Sequence, residues 1–99
     1  MDFAKADILG INVASLTMPE AVAQAEEYMA EKKAALIVTA NAEMIMQAVK
    51  DSDLRKIVNS ADLVVPDGAG AVWAARYLGY DMPERVAGFD LVQELLRRA

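Results

Sequence analysis

Four residues that could take part in binding or catalysis follow two short apolar runs of the chain. Thr39 and Asn41 follow the first run, and Asp67 and Gly68 follow the second. Each pair precedes a segment with helical spacing, so the pattern places both pairs where a strand ends and a helix begins. In open α/β sheets, ligands bind outside the carboxyl ends of the strands, and the free amides of a helix start favour phosphate or another anion. The spacing therefore predicts a site for an anionic ligand.

Each of these residues also has a purely structural interpretation. Asparagine is a common helix cap, and Thr39 could satisfy a backbone group. An aspartate–glycine pair such as Asp67-Gly68 is most often a turn. A carboxylate is poorly suited to contact an incoming phosphate, but it is well suited to take a proton from a neutral hydroxyl. From the residues alone, Asp67 is therefore equally compatible with a catalytic base and with a turn residue.

Two well-known phosphate-binding loops match this chain poorly. The dinucleotide fingerprint G-x-G-x-x-G/A would need a third small residue where this chain has Trp73. No lysine is followed by serine or threonine, so the Walker A loop is absent too. We therefore interpret Gly68-Ala69-Gly70 as a helix start that needs close backbone approach, in preference to a nicotinamide site.

Arg85 is the remaining residue whose type suggests ligand binding. It lies in the run Pro83-Glu84-Arg85-Val86-Ala87-Gly88, between two predicted helices. Loop arginines are usually solvated. A guanidinium is also a natural partner for a diphosphate, because it is charged at any physiological pH and offers two parallel donors. Position alone leaves both interpretations open.

The composition limits the chemistry available to the chain. Its 99 residues include no cysteine and no histidine, and the formal net charge is −5. This excludes disulfides, thiolate nucleophiles, serine–histidine dyads and imidazole metal ligands, so any chemistry must rest on carboxylates, cationic side chains, hydroxyls or backbone amides. The acidic balance argues against nucleic acid as a partner. The apolar runs fall short of the roughly 20 residues of a spanning helix and no signal peptide is visible, so we expect a cytoplasmic protein.

Strand-like and helix-like segments alternate, which is typical of a Rossmann-like α/β fold with a mostly parallel sheet and flanking helices. The predicted strands are two short ones within residues 5–16 around Gly10, then Ala34–Val38 and Leu63–Val65. The predicted helices are one from Thr17 to about Glu31, one after Asn41, one capped by Ser52 and closed by Asn59 or Ser60, Ala71–Leu78 ended by Gly79, and Leu91–Arg98 capped by Asp90.

Some side chains in these helices have specific predicted roles. Thr17 and Glu20 stand at the spacing of a capping box, with a proline between them in the first turn. Trp73, Met44 and Met46 fall at helical spacing among apolar neighbours, which predicts core positions for all three.

Five motifs in order carry a resemblance to a known family. They are Ile8-Leu9-Gly10, Leu16-Thr17-Met18, Thr39-Ala40-Asn41-Ala42-Glu43, Ala61-Asp62-Leu63-Val64-Val65-Pro66-Asp67-Gly68 and Pro83-Glu84-Arg85-Val86-Ala87-Gly88. From about Asp7 to its last residue, the sequence resembles the bacterial WecG/TagA/CpsF glycosyltransferases. Single motifs are weak signals, but five in register are specific.

The resemblance implies an activity. Members of that family transfer a sugar, often N-acetylmannosamine or its uronic acid, from a UDP-sugar to undecaprenyl-diphosphate-linked N-acetylglucosamine, for teichoic acid, common antigen or capsule synthesis. The linkage forms with inversion, and no metal or other cofactor is implied. Carried over by motif, Asp67 would be the catalytic base. Thr39 and Asn41, with Gly68 beside them, would line the sugar and nucleotide pocket, and Arg85 would meet the diphosphate.

Members of the family are longer than this chain, and their C-terminal segment is implicated in membrane association. We therefore predict that residues 1–99 are a single domain, the N-terminal part of a glycosyltransferase domain that works at the inner face of the cell membrane. An unpaired sheet edge would favour a homo-oligomer or low stability. The alternative is a module of the same α/β class that binds nucleotide or phosphate without catalysis, or that only self-associates.

Overall fold

Two pairs of short strands and five helices make up residues 3–98, the part of the chain that the computed structural model describes. The elements are β1 (Lys5–Ile8), β2 (Ile11–Ala14), α1 (Met18–Ala30), β3 (Ile37–Ala40), α2 (Ala42–Lys50), α3 (Ser52–Asn59), β4 (Leu63–Pro66), α4 (Ala69–Tyr77) and α5 (Gly88–Arg98). β1 and β2 form an antiparallel hairpin, and β3 and β4 form a parallel pair joined through α2 and α3. The predicted Rossmann-like α/β class is confirmed.

The hairpin turns where the sequence predicted it, at Gly10. Leu9 and Gly10 have φ values of +53° and +92°, the left-handed backbone that two-residue hairpin turns require. The side chain of Asn59, at the end of α3, then ties the hairpin to the rest of the fold. It accepts a hydrogen bond from the Asn12 N–H and donates one to the Gly10 carbonyl.

β4 is buried along its whole length because helices cover both of its faces. Val64 packs into one apolar cluster, and Leu63 and Val65 pack into another. The first cluster joins the hairpin to α2, α3 and α4 and contains Ala6, Ile8, Ile11, Val13, Ala40, Ile45, Ala48, Val58, Val64, Ala71, Val72, Ala75 and Met82. The second joins β4 to α1 and α5 and contains Ala14, Leu16, Ala21, Val22, Leu63, Val65, Val86 and Leu91.

β3 differs from the predicted strand Ala34–Val38, which was expected to be buried on both faces. It runs from Ile37 to Ala40, and three of its four residues are only half-buried. The strand starts late because β4 begins opposite Ile37, while the Leu36 carbonyl accepts the N–H groups of Asp62 and Leu63 outside the ladder. Within residues 3–98, β3 pairs with β4 alone, so its other edge is open.

The helix starts follow side-chain capping. The predicted capping box of Thr17 and Glu20 is confirmed, since each side chain bonds the other residue's backbone N–H. The predicted cap of α3 was wrong by one residue. Asp51 caps this helix through its side-chain oxygen, and Ser52 is the first helical residue. Aspartate takes the position because its carboxylate accepts two backbone N–H groups of the first turn.

Three boundaries of the last two helices also differ from the prediction. α4 starts two residues earlier and ends one residue earlier, and Gly79 terminates it as predicted with a φ of +92°. α5 begins at Gly88 instead of Leu91, because the Leu91 N–H already donates to the Ala87 carbonyl. Asp90 therefore lies in the first turn and does not cap the helix.

The predicted core positions of Trp73 and Met46 are wrong. Trp73 is 66% exposed and Met46 is 53% exposed, whereas Met44 is half-buried against the core. The buried face of α4 consists of Ala71, Val72 and Ala75, and Trp73 lies outside it.

The loop between α4 and α5 (residues 78–87) returns to the carboxyl end of the parallel pair. The Val86 N–H donates to the Pro66 carbonyl at 2.6 Å, and the Val86 side chain is fully buried. Gly88 then packs on Thr39, because a Cβ at Gly88 would lie 2.6 Å from the Thr39 Cγ2 atom. This contact leaves no room for a larger residue at the start of α5.

The opposite end of the strand pair is held by Asp62. Its carboxylate accepts the Leu36 N–H at 2.9 Å and forms an ion pair with the Lys33 ammonium at 3.1 Å. The Leu36 N–H, followed by Lys33, lowers the pKa of Asp62 below its ordinary value. Because the folded-state pKa is depressed, this carboxylate adds stability above its unfolded-state pKa, and the contribution disappears as the pH falls through the folded-state value.

We predict that replacing Gly88 with alanine destabilises the protein through the Thr39 methyl group. The variant should lose about 1–3 kcal/mol of unfolding free energy, the usual cost of overpacking, although alanine favours helix more than glycine does. Urea denaturation would measure the loss. Thr39→Ser removes the Cγ2 atom, so Gly88→Ala should cost less in that background; equal costs in both backgrounds would show that the contact is not responsible.

We predict that Asp62→Asn flattens the acid end of the stability profile. Asparagine can still accept the Leu36 N–H but cannot lose a charge on acidification. As the pH falls below about 4, near the ordinary aspartate pKa, the unfolding free energy of the wild type should therefore fall more steeply than that of the variant. Urea denaturation at a series of pH values would compare them, and identical slopes would rule out a contribution from the Asp62 carboxylate.

Candidate functional site

Strand pairing brings the two predicted pairs of site residues together. In the register of β3 and β4, Thr39 lies opposite Val65. The ladder continues one step further, because the Asp67 N–H donates to the Ala40 carbonyl at 3.0 Å. Asn41 and Asp67 therefore leave neighbouring strands at the same edge of the sheet. Thr39, Asn41, Asp67 and Gly68 all lie at this edge, which we call the strand-end site.

Asn41 has the structural role that the sequence left open. Its backbone is extended and its side-chain oxygen accepts the Met44 N–H at 2.8 Å, which makes it the N-cap of α2. The residue is exposed, and its side-chain nitrogen has no hydrogen-bond partner in residues 3–98. A cap of this kind fixes the side chain without using its donor atoms. Asn41 can therefore hold α2 and still donate a hydrogen bond to a ligand.

Gly68 starts α4 in a way that leaves backbone donors free. Its φ of +94° lies in the left-handed region, and it caps the helix without any side-chain hydrogen bond. The first turn carries no acidic residue. Gly70 brings this helix start against α2, since a Cβ there would lie 3.0 Å from the Ala42 Cβ atom. The unpaired N–H groups and the helix dipole give this end of α4 a partial positive charge.

Asp67 places a carboxylate beside that helix start. The residue is half-buried. Within residues 3–98 its side chain has no hydrogen-bond donor and no cationic partner. The Asp67 backbone is nevertheless fixed, by its own N–H on Ala40 and by the Val86 N–H on the preceding Pro66 carbonyl. The arrangement presents an unoccupied acceptor from a rigid backbone, which is what proton removal from a bound hydroxyl requires.

The side chain of Arg85 lies in a separate cavity. This cavity has a volume of about 450 Å³, and its walls come from the start of α1, the loop between α4 and α5, and α5. Its lining residues are Met18, Glu84, Arg85, Asp90, Gln93, Glu94 and Arg97. None of the strand-end residues lines it. Arg85 is next in the chain to Val86, whose N–H bonds the Pro66 carbonyl, so the Arg85 backbone is close to the strand-end site.

A second cavity lies at the opposite end of the strands, near the amino end of β4. It has a volume of about 270 Å³, and its polar walls include Lys5, Asn12, Tyr28 and Asp62. Burial, and then the Asp62 charge, raise the pKa of the Tyr28 phenol. No predicted site residue lines this cavity. In the described part of the chain, no three acidic side chains lie close enough together to hold a metal ion.

Sequence reasoning missed two residues that shape the site. Gly88 lets the start of α5 approach Thr39. Glycine is required there because of Thr39, which lies 49 residues away in the chain. Arg76 bonds two backbone carbonyls of the loop that carries Arg85. A basic residue such as Arg76 is common near a helix end. Neither Arg76 nor Gly88 therefore stood out in the local sequence. No helix in residues 3–98 is long and apolar enough to cross a membrane.

The comparisons with known proteins agree with one another. A family described as glycosyl transferase WecG/TagA/CpsF matches residues 6–99. An N-acetylglucosaminyldiphosphoundecaprenol N-acetyl-beta-D-mannosaminyltransferase of Bacillus spizizenii is 38% identical over 72 residues, which are 73% of this chain and 28% of that protein. A protein of the same name from Staphylococcus aureus is 33% identical over 98 residues, which are 97% of this chain and 39% of that protein.

These matches cover most of the chain and less than half of each relative. The chain spans 28% to 39% of the length of these two relatives. The matched region contains every residue of the strand-end site and Arg85. The chain belongs to the WecG/TagA/CpsF family of glycosyl transferases.

Proposed function

We propose that this chain is part of a glycosyltransferase that moves N-acetylmannosamine, or a related sugar, from a UDP-sugar to undecaprenyl-diphosphate-linked N-acetylglucosamine. The names of the two relatives state this acceptor and the mannosaminyl group for those proteins. The UDP donor and a role in teichoic acid or a related surface polymer belong to the proposal. The observation that carries it is the Asp67 carboxylate, which has no partner within residues 3–98 and lies beside a helix start with no side-chain cap.

The proposed reaction is an inverting displacement with Asp67 as the base. The acceptor hydroxyl bonds to the anomeric carbon of the donor sugar and passes its proton to the Asp67 carboxylate. The bond from that carbon to the UDP oxygen breaks, and its electron pair leaves with UDP. Base and leaving group must lie on opposite sides of the anomeric carbon. Arg85 lines a cavity that Asp67 does not line, which supports this division of roles.

The other site residues would bind the donor. The free N–H groups of α4, beginning after Gly68, suit a phosphate oxygen. Arg85 can offer two donors to the diphosphate as negative charge grows on the leaving group. We assign the Asn41 side-chain nitrogen and the Thr39 hydroxyl to hydrogen bonds with the sugar or the nucleotide. The α4 N–H groups and Arg85 would together stabilise the negative charge of the diphosphate, with no histidine or cysteine needed.

The same proposal includes a location and an assembly. An acceptor on an undecaprenyl chain is anchored in lipid, so we place the protein in the cytoplasm, peripheral to the inner face of the cell membrane. The open edge of β3 supports self-association, because unpaired strand edges bond readily to other strands.

We predict that Asp67→Asn stops sugar transfer without abolishing nucleotide binding. Asparagine keeps the shape of the side chain but cannot take a proton, so transfer should fall by about 10²–10⁴-fold, the usual contribution of a general base. Transfer would be measured with UDP-N-acetylmannosamine and a lipid-linked N-acetylglucosamine diphosphate, and UDP binding by calorimetry. Asp53→Asn, which changes an exposed aspartate on α3, is the matched control and should transfer at the wild-type rate.

The outcomes separate the proposed enzyme from its alternative. Wild-type transfer in Asp67→Asn would remove the base assignment. If the protein binds UDP but transfers no sugar, even when the chain is joined to the remaining part of a complete enzyme, the function is that of a nucleotide-binding module. A chain that neither binds UDP nor transfers sugar contradicts both.

We predict that two substitutions separate the capping role of Asn41 from its ligand-binding role. Asn41→Ser keeps an oxygen that can cap α2, whereas Asn41→Ala loses the cap and about 1 kcal/mol of stability. Both remove the side-chain nitrogen, so both should weaken donor-sugar binding to a similar extent. Denaturation and calorimetry would measure the two effects. Tight binding by Asn41→Ser would show that the amide does not contact the ligand.

A further inference from the structure

Arg76 connects the last turn of α4 to the loop between α4 and α5 with two hydrogen bonds. Its Nε atom donates to the Met82 carbonyl at 2.9 Å, and its Nη2 atom donates to the Pro83 carbonyl at 3.0 Å. The two acceptors are consecutive along the chain. A planar guanidinium can serve both at once because its donors form a rigid fork, whereas a lysine ammonium is a single flexible point charge.

Other contacts hold the loop on either side of the exposed pair Glu84 and Arg85. Before the pair, the Ser15 hydroxyl donates to the Asp81 carbonyl, and the Met82 side chain is buried in the core. After it, the Val86 N–H bonds the Pro66 carbonyl. Arg85 therefore lies in a short segment whose two ends are held by these contacts.

The Arg76 side chain bonds the backbone of the two residues just before Glu84. Without it, the Met82 and Pro83 carbonyls would lose their protein donor, and the backbone preceding Arg85 would be held by the Met82 side chain and the Ser15 contact. Small displacements of a side chain that binds a reacting group have large effects on binding and rate.

We propose that Arg76 is a positioning residue for Arg85. It fixes the Met82–Pro83 backbone so that the Arg85 guanidinium meets a nucleoside diphosphate in a set geometry. The inference rests on the proposed function, because it takes Arg85 as the ligand of the donor diphosphate. Arg76 itself does not contact the donor.

A double-mutant cycle of Arg76→Ala and Arg85→Ala tests this. Calorimetry would measure the affinity of the full chain for UDP and for uridine, which lacks the diphosphate. Arg76→Ala should weaken UDP binding about three- to tenfold and leave uridine binding unchanged. In the Arg85→Ala background, Arg76→Ala should have no further effect. Arg76→Lys, which keeps the charge but loses the fork, should give an intermediate UDP affinity.

Two additional measurements guard against a general structural effect. Amide hydrogen exchange at Val86 should be faster in Arg76→Ala than in the wild type, while exchange in β1 and β2 stays the same. Arg98→Ala is the matched control, because it removes an arginine whose ion pairs are with Glu26 of α1 and Glu94 of α5, neither of them in the loop. Its UDP affinity should equal that of the wild type. If Arg76→Ala does not fold, Arg76→Lys and Arg76→Gln take its place in the cycle.

Each outcome decides between the proposals. Equal loss of UDP affinity with and without Arg85, or equal loss for UDP and uridine, would overturn the positioning role and leave the proposed function in place. UDP binding that is unchanged in Arg76→Ala would do the same. A wild-type chain that binds no UDP would overturn the proposed function and the positioning role with it.

Discussion

The parallel pairing of β3 and β4 assembles the strand-end site. Its register sets Thr39 opposite Val65, and the hydrogen bond from the Asp67 N–H to the Ala40 carbonyl carries the ladder past the end of both strands. Two polar segments 26 residues apart along the chain therefore emerge side by side. The Val86 N–H extends the same arrangement by bonding the Pro66 carbonyl, so a third segment reaches the same edge.

Small residues make that convergence possible. Gly70 lets the start of α4 approach Ala42 of α2, and Gly88 lets the start of α5 lie on Thr39. A side chain at either position would push a helix start away from the strand ends. The helix that follows Asp67 begins with free N–H groups and no side-chain cap, so its start carries a partial positive charge close to the strand ends. The edge thus combines a carboxylate acceptor with backbone donors, two groups that a sugar transfer from a diphosphate would use on different atoms.

The proposed chemistry agrees with a chain that has no histidine and no cysteine. The Asp67 carboxylate would accept the proton. Arg85 and the start of α4 would stabilise the charge of the leaving group. Neighbouring backbone hydrogen bonds fix both residues, but Asp67 belongs to the strand-end site whereas Arg85 lines a cavity with acidic and basic walls. A positioned Arg85 needs a rigid loop, which gives the two hydrogen bonds of Arg76 a place in the same proposal.

Features that depend on neighbouring residues in the chain could be predicted before the fold was known. These are the α/β class, the Gly10 turn, the capping box at Thr17 and the end of α4 at Gly79, since each follows from local backbone preference or periodicity. The sequence also marked Asp67 and Asn41 as strand-end residues. Four features followed from packing between distant segments: the late start of β3, the exposure of Trp73, the cavity that Arg85 lines and the spacer role of Gly88. Each of these depends on which distant segment packs alongside, and local pattern carries no information about that partner.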